Sequence, residues 1–100
     1  MSGFLLTNAA KSDLKSIGRY TQEKWGVEQR NRYLTLLDSG FHDLAVNPLM
    51  GRDCDDIIAG YRKFPVGRHL VFYRQKGPDL IEIVRVLHER MDSEAHLASW

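Results

Sequence analysis

The sequence predicts an α+β sandwich, with an N-terminal helical hairpin laid on one face of a small, mainly antiparallel sheet. Three observations lead there. Apolar residues recur on a 3.6-residue period up to Ala45, the period changes to two after Gly60, and the connections between the later segments are short. The resulting order is β-α-α-β-β-β in one domain, residues 1–100.

Gly3 to Leu6 forms a short first strand. Thr7 caps the first helix, because its hydroxyl accepts an orphan backbone N–H of the opening turn. Ala10, Leu14, Ile17, Thr21 and Trp25 then recur on one stripe, while Lys11, Lys15, Arg19 and Glu23 fall elsewhere. Gly26 ends this helix as a left-handed residue. The second helix runs from about Val27 to Ala45. Its core stripe is Tyr33, Leu37, Phe41 and Leu44, flanked by Leu34, Leu36 and Ala45, and Pro48 stops it by disfavouring helical geometry at Asn47. These stripes read as core and not as a cofactor box, so no cofactor is expected.

Leu49 to Asp56 reads as loop. Gly60–Pro65, Arg68–Arg74 and Leu80–His88 are strands separated by the turn-like Val66-Gly67 and Gln75–Asp79, and turns this short make neighbours antiparallel. Pro65 belongs at a strand end. A last short helix runs from Ser93 to the C-terminus, capped by Asp92 or Ser93.

Composition bounds the function. With 43% hydrophobic and 27% charged residues the chain is an ordinary globular domain. No apolar stretch approaches the roughly 20 residues that cross a bilayer, and the N-terminus lacks the basic and apolar regions of a signal peptide. A cytoplasmic protein without membrane contact is expected. Cys54 has no second cysteine to pair with, and Asp53, Asp55 and Asp56 around it disfavour the thiolate, which makes it a poor nucleophile. His42, His69, His88 and His96 lack zinc-site spacing, so no metal is expected.

The net charge of +1 is unevenly spread: −1 over residues 1–56, +4 over 57–91 and −2 over the last nine. The basic C-terminal half suggests an acidic partner. Alternation in the last strand would put Leu80, Glu82, Val84, Val86 and His88 on one face and Ile81, Ile83, Arg85 and Leu87 on the other. In the preceding strand Leu70 and Phe72 share a face with Arg68 and Arg74. One sheet face meets the helices. The other is expected to be bare, with arginines among large apolar groups, and to serve as a docking surface. Two readings stand for Arg85: it awaits a partner's carboxylate, or it pairs internally with Glu82, Asp79 or an acid of the 53–56 loop.

These residues resemble a known family. Leu6-Thr7-Asn8-Ala9-Ala10, Tyr20-Thr21, Trp25-Gly26, Asn47-Pro48, Tyr61-Arg62, Val66 to Arg74, Ile83 to His88 and Arg90-Met91-Asp92 stand in the order found in ParE toxins of the RelE/ParE superfamily of plasmid-stabilisation proteins. The resemblance covers nearly the whole chain. Asn8 departs from it, where the family often has proline. The resemblance implies a RelE/ParE-like sandwich and the toxin of a type II toxin–antitoxin system, inhibiting DNA gyrase and not acting as an enzyme. It implies neutralisation by a ParD-like antitoxin through a disordered acidic tail, assembly as a toxin–antitoxin heterotetramer or larger, and contact with operator DNA only through the antitoxin.

The acidic tail would meet Arg62, Arg68, Arg74 and Arg85, with Leu70, Phe72, Tyr33 and Leu37 as apolar contacts. His88, Arg90, Met91 and Trp100 are candidates for the target-binding surface. One alternative is ribosome-dependent mRNA cleavage of RelE type, for which His88 would supply acid or base and Arg62, Arg68 and Arg85 cations, with Lys63 a further one. RelE-like nucleases tend to carry a tyrosine near the chain end, whereas here no tyrosine follows Tyr73. A non-toxic interaction module is a further alternative.

Overall fold

In the computed structural model, which describes residues 2–91, β1 (Gly3–Leu6) leads into α1 (Asn8–Trp25) and α2 (Val27–Val46). Four strands follow: β2 (Arg52–Asp53), β3 (Arg62–Val66), β4 (His69–Gly77) and β5 (Leu80–His88). The expected order is present with one addition, the two-residue β2 inside the segment read as loop. The expected C-terminal helix lies outside the described residues.

The sheet order is β1-β5-β4-β3-β2, with β1 parallel to β5 and every other pair antiparallel. β5, the last strand among the described residues, therefore lies between β1 and β4. Thr7 caps α1 as expected, its hydroxyl accepting from Ala10 N at 3.0 Å. That same hydroxyl donates to Val84 O at 2.8 Å, and Thr7 N donates to Ile83 O at 3.1 Å. One residue thus ends β1, starts α1 and fixes both to β5. Gly26 separates the helices at φ 91° and ψ 175°, an extended conformation open only to glycine and different from the left-handed one expected.

The main core lies between the helices and the sheet. Ala10 and Ile17 of α1 and Leu37, Phe41, Leu44 and Ala45 of α2 pack on Val66, Val71, Tyr73, Ile81, Ile83 and Val86. One stripe residue and one flanking residue depart from expectation: Trp25 is 60% exposed and Leu36 46% exposed. Trp25 is the last residue of its helix, where helical spacing continues the stripe although the ring is left in water.

The alternation expected for β5 fails at one residue. The β4–β5 register runs Phe72↔Arg85 and then Tyr73↔Ile83, which leaves Val84 as an extra residue. This bulge lies where the edge neighbour of β5 changes from β1 to the capped start of α1. It turns Val86 toward the helices with Ile81 and Ile83, and Leu87 to the opposite face with Phe72.

Candidate partner-binding surface

The sheet face away from the helices is not bare. Phe72, Leu87 and Cys54 are buried there in a second cluster, with Ile57, Ile58, Tyr61 and Leu70 packed against them. The segment 54–61 supplies the cover. Its turn is closed by Ile57 N and Ile58 N donating to Cys54 O, by Cys54 N donating to Tyr61 O, and by Gly60 N donating to Asp55 Oδ1 at 2.7 Å. Ile57 and Ile58 belong to neither period and so had no assigned place, yet burying them over Phe72 follows from their apolar area. Burial pushes the Cys54 thiol up, and the nearby aspartates add to this against the pull of Lys63, which agrees with an inert thiol.

The arginines of that face are mostly matched from within. Arg85 does not await a partner, and the acid that engages it most directly, Asp13, is not among those considered for it. Its Nε and one terminal nitrogen donate to the two carboxylate oxygens of Asp13 in α1 at 2.8 and 2.9 Å. Asp13 also accepts from Val86 N at 2.9 Å, so one carboxylate serves the stretch of β5 edge that β1 does not reach. The Asp13 bond raises the Arg85 pKa against the opposing effect of burial. Arg74 and Lys76 converge on Glu82 at 2.9 and 3.2 Å. Burial alone would push the Glu82 carboxyl up, but the bonds from Lys76 and Arg74 outweigh it and hold it below the ordinary value. Arg68 reaches Glu89 only at 3.9 Å with both side chains exposed, a contact of little energetic weight.

Arg62 donates to Gly51 O at 2.8 Å. It completes a lock around Tyr73, whose buried hydroxyl donates to Pro48 O at 2.7 Å and accepts from Gly51 N at 2.9 Å. A Cβ on Gly51 would stand 2.4 Å from the Tyr73 hydroxyl and 2.9 Å from Lys63 O, so this approach needs glycine.

Of the expected antitoxin contacts, Leu37 and Phe72 are fully buried and present no surface, because each fills one of the two cores. Leu70 is half-buried beside Met50, Arg52, Lys63, Phe64 and Pro65 in a depression of about 470 Å³. Tyr33 is half-buried. Its hydroxyl accepts from Arg68 N at 3.0 Å and lies 2.5 Å from His69 Nδ1, tying α2 to the β3–β4 turn. His69 in turn meets the His88 ring edge to face at 5.3 Å. Burial, then the neighbouring His88, lowers the His69 pKa to about 4.

His88 closes β5 structurally, its Nδ1 accepting from Arg90 N at 3.1 Å. The residues a nuclease would need are not gathered around it. Arg62 is level with Tyr73, whereas His88 is level with His69, four rungs and about 13 Å along the strand. Arg85 is held at Asp13, and only Arg68 lies at the His88 end. Met91 is 46% exposed and Arg90 is exposed, while Trp100 lies outside the described residues.

Sequence reasoning missed two further surfaces. At the helix–helix elbow, Tyr20 and Trp25 are exposed, with the Lys24 ammonium 5.7 and 5.9 Å from their ring centroids. Between the helices, Leu14, Gly18, Leu34 and Phe41 wall an apolar cleft of about 370 Å³ floored by Phe4 and Leu6, with Lys15 and Asp38 at its lip. The amphipathic stripes were legible, but not that they part along this line. Among the described residues no group of three or more His, Cys, Asp or Glu is placed to hold a metal ion, and no helix is long and apolar enough to cross a membrane.

A helical hairpin on one face of a five-stranded mixed sheet defines a small α+β domain of the RelE/ParE-like fold. The family model for the ParE toxin of type II toxin–antitoxin systems, parDE, matches residues 4–93. The chain is 45% identical to Toxin ParE1 of Mycobacterium tuberculosis over 96 residues, 96% of this chain and 98% of that one. It is 40% identical to Toxin ParE1 of Caulobacter vibrioides (97% and 99% covered) and 34% identical to Toxin ParE of Escherichia coli (98% and 95%). The chromosomal ParDE system of P. aeruginosa contains a chain of the same fold, with a TM-score of 0.75 at 22% identity, covering 88% of this chain and 96% of that one. The chain belongs to the ParE toxins of type II toxin–antitoxin systems.

Proposed function

We propose that this toxin acts in the cytoplasm by inhibiting DNA gyrase without catalysis of its own, and that a ParD-like antitoxin neutralises it by covering its exposed apolar surface. The observation that carries this reading is near-full-length identity to proteins named ParE toxins, joined to a sheet end where His88 is engaged by its own chain and the nuclease cations are dispersed. Neutralisation needs surface to cover, and the interhelical cleft together with exposed Leu5, Leu36, Val46 and Leu49 supplies it. By analogy with the family, two toxins bridged by an antitoxin dimer, or a larger assembly, would form, and operator DNA would be touched through the antitoxin alone.

The test is a purified gyrase assay. Loss of supercoiling with accumulation of cleaved DNA, reversed by adding the antitoxin, is the expected result. Unimpaired gyrase alongside rapid cutting of ribosome-bound mRNA would replace this reading with the nuclease one, and growth unaffected by expression would replace it with a non-toxic binding module.

A further inference from the structure

The cations on and beside the sheet divide into those that the fold uses and those that it leaves. Arg74, Lys76 and Arg85 meet buried or half-buried carboxylates, Arg62 meets a carbonyl, and Arg68 lies near Glu89. Arg52 and Lys63 have no ion-pair partner among the described residues, and the β2–β3 register sets them directly opposite each other. Like charges facing across an antiparallel pair oppose folding. The adjacent acids do not relieve them: Asp53 Oδ1 accepts from Asp55 N at 2.6 Å and Asp55 Oδ1 accepts from Gly60 N, both building the 53–60 turn.

The pair stands at an apolar depression of about 470 Å³ whose other walls are Met50, Phe64, Pro65 and Leu70. Met50 is 40% exposed and Leu49, next to it in sequence, 68%. β2 covers only Arg62 and Lys63, so the outer edge of β3 from Phe64 to Val66 meets no strand among the described residues, and Pro65 offers that edge no N–H. A strand could not extend the ladder far here. Recognition would rest on side chains: carboxylates against the two cations, apolar groups in the depression.

We propose that this corner of the sheet is a docking site for an acidic peptide segment bearing apolar side chains, with Arg52 and Lys63 as its anion-binding pair. The inference rests on the neutralisation reading above and assigns the segment to the antitoxin. A nucleic-acid backbone fits less well, since phosphates gain nothing from an apolar wall and two cations are few for a duplex. The bound carboxylates would remove the repulsion that the free toxin carries.

Titration calorimetry of the full-length toxin with its antitoxin tests this, using Lys63→Gln and Lys63→Glu. The second change replaces repulsion with attraction across β2–β3, so the toxin should melt no lower than wild type while the Kd rises. About tenfold weaker binding is expected for Lys63→Gln and on the order of a hundredfold for Lys63→Glu, with a shallower salt dependence in both. Opposite movement of stability and affinity excludes misfolding as the cause. Tight binding by wild type with an unchanged Kd for Lys63→Glu would overturn the docking site alone. No binding by wild type would overturn the neutralisation reading and this inference with it. Binding of a short DNA duplex that is lost in Lys63→Glu would overturn the peptide assignment.

Discussion

Asp13 concentrates several demands in one carboxylate: two N–H groups of Arg85 and the backbone N–H of Val86 all donate to it. Removing it leaves a guanidinium and an edge amide without their acceptor, both only partly in water. Asp13→Ala should therefore destabilise the toxin by about 2–3 kcal/mol in urea unfolding. Arg85→Glu would set two carboxylates together and should be at least as harmful, so that change reports on folding and not on docking, whereas Arg68→Glu should shift stability by less than about 0.5 kcal/mol. Equal effects of the two would show that the Arg85–Asp13 pair carries no weight. The Tyr73 hydroxyl invites a parallel test. Tyr73→Phe unpairs Gly51 N and Pro48 O, and about 1–2 kcal/mol of lost stability is expected from thermal or urea melting. Trp25→Ala, by contrast, should alter stability little despite the size of the side chain, since most of the ring is already in water.

Between elements, the Tyr33–His69–His88 contacts join α2, β4 and β5, and their strength depends on pH. The folded pKa of His69 is about 4 against an ordinary 6.5, so the unfolded chain binds its proton more readily. Stability from this site is complete above pH 6.5 and is lost as pH falls toward 4. About 2 kcal/mol of loss is expected across that window after allowing for solvent screening. Besides His88, which lowers the pKa further, Glu89 and Asp13 act on His69, and both raise it. Urea midpoints at pH 7 and 4.5 should therefore separate less in His69→Gln than in wild type; identical separations would contradict the assignment.

The element scale also explains what the sequence could convey. Both helices, β1 and β5 were legible to within a residue or so, because cap, glycine and proline signals are local. The bulge at Val84 was not, since it arises from a change of neighbour along β5 rather than from β5 itself. Nor was the partner of Arg85, which is 72 positions away and on a helix. Burial of Phe72 and Leu87 depended on Ile57 and Ile58, a pair too short to show a period.

At the scale of the whole molecule, the parallel register Gly3↔Leu80 to Leu6↔Ile83 places the strand nearest one terminus against the penultimate stretch of the described chain. Ile81, Ile83 and Val86 of β5 form much of the floor on which both helices rest. A chain ending at Asp79 should therefore show little cooperative unfolding by circular dichroism, although it would retain both helical sequences; a sharp transition would mean the hairpin folds unaided. During synthesis the same geometry imposes an order of events. The hairpin leaves the ribosome with its apolar side uncovered, and β5, an interior strand of the sheet, is the last described strand to be made. Contacts so distant in sequence close slowly, so the folded toxin can appear only after translation has delivered β5, and a chain stopped upstream of it lacks much of the floor on which both helices rest.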